Sequence, residues 1–158
     1  MLKPTDKVIV ALSGGKDSIT LLHNLIRIQE NTYGAEPPVA MAINEGIGDY
    51  RKKSIEVASR YCKDQGIPLS IFSFKEEIGY PLEEILKIMI ERGSERYPCN
   101  YCALIRRRLI NEGARRLGGT VVALGHNLTD VSETFLMNIL QNRPHLISNQ
   151  YLDKEKSE

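Results

Sequence analysis

Cysteine is scarce in this chain, and so is net charge. Cys62, Cys99 and Cys102 are the only thiols in 158 residues. An odd, low count, with no h-region of a signal peptide at the N-terminus, argues against a disulfide framework. It favours thiols kept reduced or bound to metal. The missing h-region also predicts a cytoplasmic protein. No apolar run approaches the ~20 residues of a membrane span, so no membrane partner is expected. The net charge is +1, so bulk charge gives no argument for nucleic acid, and local clusters must carry any such claim. There is no internal repeat. What is present is 42% hydrophobic and 26% charged, the composition of an ordinary globular domain, in a length that can bury one proper core.

Strand and helix patterns alternate along the chain. Residues 7–13 read as a buried strand and 17–33 as a helix with Ile19, Leu22, Leu25, Ile26 and Ile28 on one side. Glu36-Pro37-Pro38 breaks the chain, and Val39 to Ile43 is a second apolar run. A helix over 50–65 follows, with Ile55, Val57, Ala58 and Tyr61 as its apolar positions and Gly66 as its stop. Leu69 to Phe74 reads as a third strand. A short helix spans 81–92, a basic helix about 102–117, a strand Thr120–Leu124 and a last helix about 129–141. Such alternation predicts an α/β fold, a parallel sheet with helices on both faces. Ligands in such sheets sit beyond the C-terminal strand ends. The segments after three strands, Ser13–Ser18, Asn44–Gly48 and Gly125–Asn127, are therefore expected on one rim.

Ser13-Gly14-Gly15-Lys16-Asp17-Ser18 joins the first strand to the first helix. Glycines there let the backbone approach an anion, and the helix start supplies unpaired N–H groups and a positive dipole end. The Ser13 and Ser18 hydroxyls can add donors. Asp17 would repel phosphate unless a divalent cation lies between them, which suggests Mg²⁺. The Walker A spacing is absent, and so is the dinucleotide G-x-G-x-x-G.

Pro98-Cys99-Asn100-Tyr101-Cys102 is a C-x-x-C at the start of a helix, where the dipole and nearby cations favour thiolates. The spacing alone leaves four readings open: half a zinc site, a redox pair, part of an iron–sulfur ligand set, or unrelated thiols. His23, His126 and His145 show no matching zinc spacing. Cys62, in mid-helix, reads as a small buried apolar residue. Arg106, Arg107 and Arg108, with Arg115 and Arg116, form either a solvated helix face or a phosphate- or RNA-facing one. In Gly125-His126-Asn127-Leu128-Thr129-Asp130, Gly125 permits close approach of a ligand. Thr129 reads as the N-cap of the last helix, with Glu133 nearby. Asp130 can bind Mg²⁺ or act on an acceptor.

The Ser-Gly-Gly-x-Asp-Ser loop resembles the PP-loop of the N-type ATP pyrophosphatases. The order of this loop, Asn44-Glu45-Gly46-Ile47, Pro98-Cys99-x-x-Cys102 and Gly125-His126-Asn127-x-x-Asp130 resembles the tRNA 2-thiolation enzymes of the TtcA/TtuA group, above all archaeal TtuA-like members. The likeness covers about residues 5–142. It implies an adenine nucleotide alpha hydrolase-like fold in a PP-loop ATP-binding domain over 1–145, with a short polar tail over 146–158. It also implies a two-step reaction. ATP activates the oxygen at carbon 2 of a tRNA pyrimidine as an adenylate, releasing pyrophosphate, and sulfur then displaces AMP. Carried over, Ala11, Ser13, Gly14, Gly15, Lys16, Asp17, Ser18, Met41, Arg106 and Gly125 hold ATP. Cys99 and Cys102 are catalytic and ligate a 4Fe–4S cluster, and Asp130 is the catalytic acid. The implied partners are tRNA and a sulfur donor, either a ubiquitin-like carrier protein or a small thiol or sulfide.

Three departures stand out. Thr129-Asp130 replaces the usual Asp-Asp. The resemblance also calls for an N-terminal zinc module, and for a C-terminal part that bears the third cluster cysteine. The chain is thus expected to be a truncated member, a fragment, or a domain completed by a partner chain or a dimer mate. The alternatives are a PP-loop enzyme adenylating another acceptor, of the lysidine synthase or amidotransferase type, and a non-catalytic nucleotide-binding module.

Overall fold

A computed structural model describes residues 2–93 and 98–151, the side chains of Pro98 and of 148–151 excepted. The elements run β1 (Val8–Leu12), α1 (Lys16–Glu30), β2 (Val39–Asn44), α2 (Gly48–Asp64), β3 (Leu69–Ser73), α3 (Phe74–Ile78), α4 (Leu82–Glu91), α5 (Pro98–Arg116), β4 (Val121–Leu124), α6 (Leu128–Leu140) and α7 (Pro144–Tyr151). The four strands form one parallel sheet in the order β3-β2-β1-β4. The expected α/β class is what the chain adopts. No helix among the described residues is long and apolar enough to cross a membrane.

The period of two along β1 divides the core. Val8, Val10 and Leu12 join Leu22, Leu25, Ile26, Ala58 and Cys62 beneath α1 and α2. Ile9 joins Met41, Ile43, Phe74, Leu82, Ile85 and Leu109 on the opposite face, beneath α4 and α5. Cys62 is 1% exposed, a small core residue as its mid-helix position suggested. Gly113 seats α5 on the sheet, since a Cβ there would lie 2.7 Å from Met41 Cε and 2.8 Å from Phe72 Cε2.

Several local expectations change. Ile28 and Val57 are exposed, and Gln29 is buried on α1 instead. The helix simply turns Ile28 outward, past the edge of the buried stripe. The third strand stops at Ser73, whose hydroxyl accepts from Glu76 N–H and caps α3; Phe74 is the first residue of that helix and fully buried. The expected N-cap Thr129 lies inside α6. Asn127 is the cap: its side chain accepts from Asp130 N–H at 3.1 Å, and the Asp130 carboxylate accepts from Asn127 N–H at 2.7 Å. This reciprocal pair satisfies two donors, which Thr129 with Glu133 would not. Helix α7 runs across the expected boundary at 145/146, with Pro144 at its first position. Residues 152–158 of the expected tail lie outside the described residues.

The described residues divide into two compact units. The first, up to Gly125, holds the sheet and α1–α5. The second, from His126, holds α6 and α7, which pack on each other.

Candidate nucleotide and thiol site

The Ser13–Ser18 loop leaves the C-terminal end of β1 and opens α1. Its hydroxyls tie it into a closed turn. Ser18 Oγ donates to Gly15 O at 3.0 Å and accepts from Ser13 N–H at 3.2 Å, and the two hydroxyls lie 3.0 Å apart. Ser13 Oγ also accepts from Gly15 N–H at 3.2 Å. Ser18 is 3% exposed, so its hydroxyl shapes the loop from within. Gly14 has φ +83°, and a Cβ there would lie 2.2 Å from Ser54 O. Both the left-handed backbone and the approach of α2 require glycine. Gly15 occupies the N-cap of α1, so the first turn presents its N–H groups uncovered by a capping side chain. Lys16 Nζ and Asp17 Oδ1 pair at 2.7 Å on the surface, 86% and 48% exposed. Such a pair is worth little, and both groups can turn to a phosphate and its cation at small cost.

The expected rim is assembled in the first unit. Gly125 follows β4, and a Cβ on it would lie 2.8 Å from Ser18 Cα and N, so this glycine lets β4 close against the start of α1. Ala11 and Met41 are register partners in β1 and β2. Met41 is 0% exposed, with its side chain in the core against the α5 position of Gly113. Met41 is among the residues expected to hold ATP; the strand's alternation turns its side chain under α5, so only its backbone is left to meet a ligand. His126 and Asp130 belong to the second unit. Asp130 Oδ2 is engaged in the helix cap.

The segment after β2 holds what sequence reasoning missed. Glu45 is 0% exposed. Its Oε1 accepts from Arg106 Nε at 2.6 Å, and its Oε2 lies 2.6 Å from Arg51 Nε in an ion pair without hydrogen-bond alignment. Arg51 in turn donates through Nη1 to Ser13 O at 2.8 Å, and through Nε and Nη2 to Ile43 O. Burial lowers the pKa of its guanidinium, and Glu45 opposes that shift. Arg106 Nη2 donates to Cys102 Sγ at 3.3 Å. Burial raises the Cys102 thiol above its ordinary value, and the Arg106 charge pulls it partly back. Cys102 is 9% exposed, whereas Cys99, one turn earlier, is open to solvent. A fully buried glutamate requires cationic partners. The sequence marked Glu45 only as part of Asn44-Glu45-Gly46-Ile47, and nothing in it named Arg51.

Elsewhere on α5, Arg108 pairs with Glu112, and Arg116 pairs with Glu77 while stacking 5.9 Å over Phe72. Arg107 and Arg115 are exposed. Among the described residues no three His, Cys, Asp or Glu side chains converge as a metal site.

Comparison with known proteins places this geometry. A family model described as a PP-loop domain matches residues 2–152. Cytoplasmic tRNA 2-thiolation protein 1 of Saccharomyces cerevisiae is 42% identical over 137 residues, 86% of this chain and 37% of the relative. The protein of the same name in Drosophila melanogaster is 40% identical over 86% of this chain and 38% of its own length. The chain thus spans less than two fifths of these relatives. The structure of the U34-tRNA thiolase NcsA from Methanococcus maripaludis, with its 4Fe–4S cluster, superposes with a TM-score of 0.78 at 33% identity. That match covers 89% of this chain and 44% of the thiolase. An NH3-dependent NAD synthetase from Campylobacter jejuni shares the fold at 23% identity and a TM-score of 0.57. With its glycine loop at the end of β1, this chain belongs to the PP-loop domain family.

Proposed function

We propose that this chain is the ATP-activating core of a cytoplasmic tRNA 2-thiolation enzyme. The observation that carries the reading is the meeting of two chemistries on one sheet rim. The phosphate loop Ser13–Ser18 and the thiol of Cys102 are linked there through Arg51, Glu45 and Arg106. An enzyme adenylating another acceptor, of the lysidine synthase or amidotransferase type, has no use for that thiol. The thiolation relatives supply the substrate class by their names.

In this reading Gly14, Gly15 and the first turn of α1 receive the pyrophosphate part of ATP, and Lys16 neutralises it. Asp17 holds Mg²⁺. The oxygen on carbon 2 of the tRNA pyrimidine attacks the α-phosphorus, and pyrophosphate leaves with the bonding pair. A sulfur nucleophile then attacks carbon 2, and AMP departs with the former oxygen. Asp130 is the acid proposed to serve the acceptor.

Cys99 and Cys102 lie three apart at the start of α5, so their side chains share one face. They fit two ligand positions of an iron–sulfur cluster, and a further ligand comes from outside the described residues: a further segment, a dimer mate, a partner chain or an external thiol. When bound there, such a cluster would supply sulfur-transfer chemistry beside the nucleotide loop, with Cys99 and Cys102 holding it. The sulfur source is a ubiquitin-like carrier protein or a small thiol or sulfide.

The test is pyrophosphate release from Mg-ATP on anaerobically reconstituted protein, with and without bulk tRNA. Stimulation by tRNA is expected. ATP binding with no pyrophosphate in either case makes the chain a nucleotide-binding module that acts with other segments.

A further inference from the structure

Glu45 carries one negative charge, has no exposed surface, and holds two guanidinium groups. The two arginines repel each other, and the proximity of Arg106 is one of the influences that lower Arg51. Without the carboxylate between them they would separate. Each arginine has a second hand. That of Arg51 grips the main chain of the loop at Ser13 O, 2.8 Å away, and reaches Ser54 Oγ at 3.4 Å. Ser54 is the residue whose carbonyl confronts Gly14. That of Arg106 grips Cys102 Sγ. The carboxylate is itself fixed from behind. Glu45 O accepts from Leu82 N–H at 2.8 Å, and Gly46, at φ +72°, lies so close to Pro81 that a Cβ would come within 2.6 Å. These contacts tie the Glu45 backbone to the start of α4.

We propose that Glu45 is a positioning residue that couples the phosphate loop to the Cys102 thiol, so that a change at either end is felt at the other. The proposal rests on the reading of Ser13–Ser18 as the nucleotide loop only for its use. The coupling itself is a property of the chain without ligand. Displacing Arg106 from Glu45 loads the whole carboxylate charge onto Arg51. That shifts the guanidinium that holds Ser13 O, although Arg106 has no contact with the loop in the hydrogen bonds and ion pairs described. By linkage, ordering the loop with a nucleotide acts on Arg106 and Cys102 to the same extent.

The test is backbone hydrogen exchange on the nucleotide-free chain, comparing the hydrogen-bonded loop amides of Ser13, Gly15 and Ile19 with those of β3 as an internal reference. Arg106→Gln is expected to speed exchange in the loop by roughly three- to tenfold while leaving β3 unchanged. Glu45→Gln should do at least as much, and the double variant should add nothing beyond Glu45→Gln, because both act through one link. Arg106→Lys, which keeps a charge facing Glu45, should restore most of the slow exchange. The proposal is overturned if Arg106→Gln leaves loop exchange within about twofold of wild type, or if β3 speeds up in proportion. Arg106 is half exposed, so its variants decide the matter even if Glu45→Gln does not fold. Titration with Mg-ATP separates the two readings. A wild-type chain that does not bind ATP refutes the nucleotide assignment and leaves the exchange result standing.

Discussion

Replacing Gly14 by alanine tests the loop assignment at its tightest point. Gly14 and Gly34 have similar left-handed backbones, φ +83° and +76°, but a Cβ on Gly34 meets nothing within 4 Å. Gly34→Ala therefore reports conformational strain alone, ~1–2 kcal/mol. Gly14→Ala carries the same strain and adds a Cβ 2.2 Å from Ser54 O, a main-chain atom of α2. Relief requires loop and helix to part by about 1 Å, an overpacking cost of ~1–3 kcal/mol. At about 2–4 °C per kcal/mol for a chain of this size, Gly34→Ala should lower the melting temperature by about 4 °C and Gly14→Ala by about 10 °C. The displacement moves the amides proposed to receive the phosphates, so Gly14→Ala should also weaken Mg-ATP at least ~10-fold, or ~1.4 kcal/mol. Gly34→Ala should bind as wild type. The assays are thermal unfolding and calorimetric titration. If Gly14→Ala melts with Gly34→Ala and keeps wild-type affinity, the contact between loop and α2 is not what sets the site.

Asp17→Asn should leave stability within about 0.5 kcal/mol, since the Lys16 pair is exposed, yet weaken Mg-ATP at least ~10-fold at millimolar Mg²⁺. Unchanged affinity removes Asp17 from the cation site. Asn127→Ala should cost ~1 kcal/mol in denaturant unfolding through loss of the α6 cap, while Thr129→Ala stays within about 0.5 kcal/mol. The reverse order would restore Thr129 as the cap. Burial raises the Cys62 thiol above its ordinary 9.0. Below pH 9.0 both states keep the proton and the contribution is constant; above it the unfolded chain ionises first, so stability falls as pH rises. Cys62→Ala should flatten the decline in melting temperature above that pH, and an identical slope would assign the decline to other groups.

The sheet was legible because β1 and β2 are short, continuous apolar runs buried on both faces, and parallel strands look like that in sequence. The glycine loop was legible because its chemistry is local, six residues between a strand and a helix. The errors have equally local causes. Ile28 and Val57 are apolar residues that fall just off the buried stripe of their helices, and periodicity alone does not mark its edge. Helix α3 is a five-residue turn capped by Ser73 and closed by Gly79 at φ +93°, too short to carry a period. The Glu45 link was invisible for a different reason. Its partners lie on separate elements, Arg106 being 61 positions away, and no spacing rule connects them.

Topology explains why such distant residues meet. The chain lays β2 and β3 to one side of β1 and then returns to place β4 on the other, so the strand order reverses at β1. Loops leaving β1 and β4 diverge at such a reversal and open a crevice, the usual place for a nucleotide in an open α/β sheet. The Gly14 turn follows β1 and Gly125 follows β4, the strands on either side of that reversal. The same return has a second effect. The connection from β3 to β4 must cross β2 and β1, and α5 is the long helix that makes the crossing, packed on Met41 and Phe72 through Gly113. Any residue on the inner side of α5 above β2 is thereby carried over the end of that strand. Arg106 and Cys102 occupy that position, and Glu45 is the first residue beyond β2. One crossover therefore carries the Cys102 thiol to the rim that bears the Ser13–Ser18 loop, and Arg51, Glu45 and Arg106 span the distance between them.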